Sequence, residues 1–204
     1  MGFLDSLLNI AGNVANELLE LQQQKLQEDM EKKEQEEMEA TLEFFFGVRN
    51  RLKGFLDVAD DILKSAKETY ITDNKEQMYE ETMRIAYFAY SLGNEKLLRE
   101  NWEVNEDMDR VVKDWEYVAK GTDETFECGE EQDGYQFYKS HLKNDARKFA
   151  FQIENILDDL ENEEIGYLLK KAINCMSEFR EALKINMKNW NNLIEVGYSE
   201  LNDV

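Results

Sequence analysis

Apolar residues recur every three to four positions along most of this chain, a pattern that predicts helices almost throughout. Over residues 3–21, Phe3, Leu4, Leu7, Leu8, Ala11, Val14, Ala15, Leu18 and Leu19 form one stripe. Asp5, Asn9, Asn13, Asn16 and Glu20 fall on the other side, so this segment reads as a strongly amphipathic helix. From Gln22 to Glu39 the apolar content drops to Leu26, Met30 and Met38. Helix propensity stays high there, and Glu28–Lys32 and Asp29–Lys33 stand in the favourable i,i+4 order. Nothing between Phe3 and Phe46 reads as a helix stop. A continuous helix of that span would be about 65 Å long, so part of it must project, bend back or pair with another chain.

A second helix is expected from about Thr41 to Tyr70, with Leu42, Phe45, Leu52, Phe55, Leu56, Ala59, Ile62, Leu63, Ala66 and Tyr70 along a coiled-coil-like stripe. Thr72-Asp73-Asn74 breaks the pattern, and Asp73 with Glu76 suits the start of a third helix over about 74–92. Gly93-Asn94 reads as a stop and a new cap. A fourth helix then runs to Lys120 through Leu97, Leu98, Trp102, Asn105, Met108, Val111, Val112, Trp115 and Ala119. Gly121 to Gly134 has no period and three glycines, so it reads as a loop. A fifth helix over 135–160 uses Tyr138, Leu142, Phe149, Ile153, Ile156 and Leu160. A sixth over about 163–197 uses Leu168, Leu169, Ala172, Met176, Phe179, Leu183, Trp190 and Ile194.

The fold class that follows is all-α: an antiparallel bundle of about six helices with a long amphipathic N-terminal helix. Residues 1–40 form the N-terminal helix, and 41–204 the bundle domain with an acidic loop at 121–134. The absence of proline supports this, since about ten would be expected at average usage and Pro interrupts helix interiors.

Charge changes the picture next. The formal net charge is −21, and it is unevenly placed. Residues 1–47 hold 11 acids and 3 bases, and residues 121–137 hold 6 acids and no base. Direct nucleic-acid binding requires a basic stripe, and none is visible. Long-range attraction favours a basic protein partner instead. The loop acids Asp123, Glu124, Glu127, Glu130, Glu131 and Asp133 form one candidate docking surface. The EF-hand pattern fails there, because its required glycine would be Cys128.

Catalytic constellations are scarce. His141 is the only histidine, which rules out a di-metal site built from two Glu-x-x-His motifs within one chain. Cys128 and His141 lack a recognisable nucleophile motif, and no phosphate-binding glycine loop occurs. We expect no catalytic residue, metal or cofactor. Two cysteines, Cys128 and Cys175, are too few for a disulfide framework. The first lysine is Lys25, so no charged leader precedes an apolar run, and a cytoplasmic protein is expected.

Met1-Gly2-Phe3-Leu4-Asp5-Ser6 fits the loose myristoylation pattern, but no polybasic second signal follows. Residues 1–24 carry acids and no base, so anionic lipid would repel them, and protein packing is favoured over membrane contact. Phe3, Leu4, Leu7, Leu8 and Leu18 are therefore candidate contacts to a partner, including a second copy of the chain. Phe44-Phe45-Phe46 and Tyr87-Phe88 must also face more than one surface, because consecutive residues diverge around a helix. The function expected is a non-catalytic, acidic helical interaction module of adaptor, escort-chaperone or inhibitor type. The alternative is an acidic nucleic-acid mimic that occupies the basic site of a nuclease or DNA-binding protein.

Overall fold

A computed structural model gives the backbone of residues 3–92 and 106–203, and side-chain surroundings over 23–92, 110–199 and at 201. Five helices and one short hairpin make up these residues: α1 (Phe3–Thr72), α2 (Lys75–Ser91), α3 (Glu106–Thr125), β1 (Glu131–Gln132), β2 (Tyr135–Gln136), α4 (Leu142–Asp158) and α5 (Ile165–Asp203). The chain is all-α in class. The helix break expected near Thr41 is absent, because the first two expected helices form one continuous helix. No proline, paired glycines or capping residue interrupts it. The Gly93-Asn94 stop, the first part of the fourth expected helix with Leu97, Leu98, Trp102 and Asn105, and the side chain of Met108 lie outside the described residues.

Two compact units divide the chain: Met1–Glu43 with Gly197–Val204, and Phe44–Val196. In the first, Leu42 is buried beside Gly197. A Cβ at Gly197 would stand 2.7 Å from Leu42 Cδ2, so the absence of a side chain there permits close helix approach.

The second unit holds the main core. Leu52, Ile85, Leu142, Phe149, Ile153, Leu168, Leu169, Met176, Leu183 and Trp190 are fully buried. Phe149 and Phe179 stack at 5.1 Å between ring centroids, and Trp115 meets Phe179 edge-on at 5.9 Å. Phe55 packs edge-on against Trp115 at 5.1 Å, which ties α1 to α3. Trp190 lies 5.6 Å from Phe45 and donates through its indole N–H to Thr122 Oγ1 at 3.0 Å. Further along, Arg180 on α5 pairs with Asp60 on α1.

Turn chemistry sets the boundaries. Asp73 adopts a left-handed φ of 57° and ends α1. Asn74, rather than Asp73, then caps α2 by accepting the Gln77 N–H at 3.2 Å. Asp133 (φ 50°) and Gly134 (φ 79°) join β1 to β2, and two adjacent positive φ values are what a tight two-residue hairpin loop demands.

The stretch expected to be a loop at 121–134 is therefore mostly ordered structure. α3 continues to Thr125, Phe126 is buried against Phe137 at 5.9 Å, and the hairpin follows. The fifth expected helix starts at Leu142 instead of 135, because residues 135–141 complete the hairpin and an irregular segment anchored by buried Phe137 and Ser140. Asn189 on α5 pins that segment, accepting the Tyr138 N–H at 2.9 Å and donating to the Tyr138 carbonyl at 2.6 Å.

Candidate functional site

Within the second unit, α1, α2 and α3 enclose an open apolar groove of about 950 Å³. Each helix contributes one stripe at helical spacing: Arg51, Phe55, Val58 and Ile62 from α1, Tyr79, Met83, Tyr87 and Ser91 from α2, Val111 and Asp114 from α3. Phe55, Ile62 and Phe88 form a buried floor continuous with the core. Val58, Tyr79 and Tyr87 are 48%, 49% and 39% exposed, which is a large amount of apolar surface for one locus.

Polar groups stand along the edges. Arg51 pairs with Asp114 at 3.2 Å and lies over the Tyr117 ring, 5.1 Å from its centroid. Arg84 donates to buried Glu81 at 3.1 Å, and Ser65 donates to the same carboxylate at 2.6 Å. Among the described residues, the charged lining groups are Arg51, Arg84, Glu80 and Asp114, whose formal charges cancel. Gly54 lies in the wall, and a Cβ there would meet nothing within 4 Å. The arrangement can hold an apolar ligand or apolar side chains.

The residues singled out from sequence are distributed differently. Phe3, Leu4, Leu7, Leu8 and Leu18 lie on the α1 backbone, but their side chains are outside the described residues. Asp123 is engaged in structure rather than displayed. Its Oδ1 accepts the Leu142 N–H at 2.6 Å and the Ser140 hydroxyl at 2.7 Å, and its Oδ2 accepts the Lys143 N–H at 3.1 Å. Because His141 makes no side-chain cap, Asp123 caps α4 from the end of α3. Glu124, Glu127, Glu130, Glu131 and Asp133 are exposed around the hairpin. Tyr135 donates to Glu195, and that bond pushes its phenol up.

The expected divergence of neighbouring aromatics is visible. Tyr87 is exposed at the groove, whereas Phe88, in its floor, is buried with its ring 6.4 Å from both Phe149 and Phe179. Phe44 contacts Tyr117 and Trp190, and Arg49 lies over Phe46. Cys128 is exposed, and half-buried Cys175 has its thiol pushed up by burial, which suppresses its reactivity. Among the described residues, no group of three or more His, Cys, Asp or Glu is arranged to hold a metal ion. No described helix is long and apolar enough to cross a membrane.

Sequence reasoning missed the groove because its floor residues carry an ordinary core pattern. The available signal was Val58 and Tyr79, apolar residues off the main stripes of their helices. Comparison with family models, with curated proteins and with solved structures gave no match.

Proposed function

We propose that this chain is a non-catalytic, cytoplasmic protein-binding module of adaptor, escort-chaperone or inhibitor type. Its body is an antiparallel helical bundle, and the groove among α1, α2 and α3 receives the apolar face of an amphipathic helix from a partner protein. The observation that carries this reading is the apolar lining with Val58, Tyr79 and Tyr87 open to solvent. Recognition of a helix in a groove rests on anchors at i, i+3/i+4 and i+7, and three helices walling a trough suit that mode. The net charge of −21 steers basic partners toward the protein, while the cancelling charges in the groove make the bound state tolerant of salt.

The exposed acids around the hairpin support the alternative, an acidic mimic that binds basic protein. Capture from native extract at low and high salt separates the two, using the wild type beside Gly54→Leu. Gly54 lies in the groove wall, and a Cβ there meets nothing within 4 Å, so the leucine projects from an open position into the groove. Groove binding requires one partner retained at both salt concentrations and lost with Gly54→Leu. Capture that disappears at high salt and ignores Gly54→Leu refutes the groove and supports the mimic.

A further inference from the structure

The charged groups lining the groove differ in how far the chain itself already engages them. Arg51 pairs with Asp114 at 3.2 Å and donates to the Gly47 carbonyl at 3.2 Å, so that pair is neutral as it stands. Fourteen residues further along α1, Ser65 donates to buried Glu81, and Arg84 pairs with the same carboxylate at 3.1 Å. Glu81 thereby neutralises Arg84. Glu80 stands four residues before Arg84, the spacing of a favourable helix pair, yet the guanidinium is held by Glu81 instead. Glu80 is exposed and lines the groove, and among the described residues no hydrogen bond or ion pair engages its carboxylate. One end of the lining is therefore balanced, and the other keeps one uncompensated negative charge.

The run of α1 from Arg51 to Ser65 spans about 21 Å at the helical rise, with Val58, Tyr79 and Tyr87 open to solvent along the lining. An apolar body that covers Tyr79 and Met83 also strips water from one side of Glu80, and a carboxylate desolvated without a cation opposes binding. An occupant that brings its own cation to that place turns the same carboxylate into an attraction. We infer, on the reading that the groove is the binding site, that the helix it receives is basic as well as amphipathic, with a lysine or arginine beside its apolar face that pairs with Glu80. The pair forms at the end of the groove where Ser65, Glu81 and Arg84 meet.

Fluorescence anisotropy of the full chain with two labelled amphipathic peptides, each of about 15 residues to match that run, tests this. Both carry leucines at helical spacing; lysines flank the stripe in one and glutamates in the other. At about 0.15 M salt, where attraction between charges beyond about 8 Å is screened, the wild type prefers the lysine peptide. An exposed ion pair shifts affinity by about 1.5- to 5-fold, and charge reversal acts on both peptides in opposite directions. Glu80→Lys therefore moves the ratio of the two affinities about tenfold toward the glutamate peptide. Glu161→Lys, at an exposed acid between α4 and α5, makes the same change in net charge and leaves that ratio within about twofold. Gly54→Leu weakens both peptides alike. Equal affinities in the wild type, or a ratio that moves as far with Glu161→Lys as with Glu80→Lys, overturns the inference and leaves the groove as the binding site. Binding that ignores Gly54→Leu, or no binding of either peptide, overturns the groove and the inference with it.

Discussion

Replacing Asp123 by alanine tests whether the base-free segment is built for structure or for display. Its carboxylate accepts three hydrogen bonds, from the Leu142 and Lys143 N–H groups and the Ser140 hydroxyl. Leu142 is fully buried, so its N–H has no ready access to water once the carboxylate is gone. Loss of a helix N-cap typically costs about 1 kcal/mol, and a buried donor left unsatisfied costs about 1–3 kcal/mol. Since Asp123 is itself half-exposed and water can reach Lys143, a total of about 2–3 kcal/mol is expected. For a chain of this size that lowers Tm by roughly 4–12 °C. Urea unfolding followed by helical circular dichroism measures it, with Glu127→Ala and Glu130→Ala as exposed controls that stay within about 0.5 kcal/mol. An Asp123→Ala loss no larger than the controls would refute the capping role.

Thr122→Val keeps the side-chain shape but leaves the buried Trp190 indole N–H without its acceptor, so urea unfolding should show a loss of about 1–3 kcal/mol. Gly54→Ala should stabilise the chain by about 0.5–1 kcal/mol in the same assay, because the added Cβ meets no neighbour within 4 Å in a helix interior. Burial raises the Asp145 carboxyl above its ordinary range, so the folded state holds this proton more tightly than the unfolded chain does. That costs stability above the folded pKa, and the cost fades as pH falls toward the unfolded value. Asp145→Asn should therefore gain relative to wild type at neutral pH and lose that gain in acid, as read from urea midpoints across pH.

How far the fold was legible depended on where its information lay. The α2 limits followed from local pattern to within one residue, and the α5 start to within two, whereas α5 runs six residues past the expected end to Asp203. No helix break falls near Thr41: the stripe changes composition there, which resembles a new element, but no stop chemistry accompanies it. Asp133-Gly134 carried a hairpin signal, but flanking strands of two residues are too short to show alternation. The capping role of Asp123 depends on α3 ending beside α4, a tertiary fact invisible in spacing. The groove has the same origin: helical periodicity marks Phe55 and Ile62 as core, and only packing leaves Val58 and Tyr79 uncovered beside them.

Hydrogen–deuterium exchange on the full chain, with and without its captured partner, tests the central claim most directly. A groove-bound helix predicts new protection along residues 51–62 of α1 and 79–91 of α2, with the hairpin unchanged. Protection confined to residues 127–136 would contradict it.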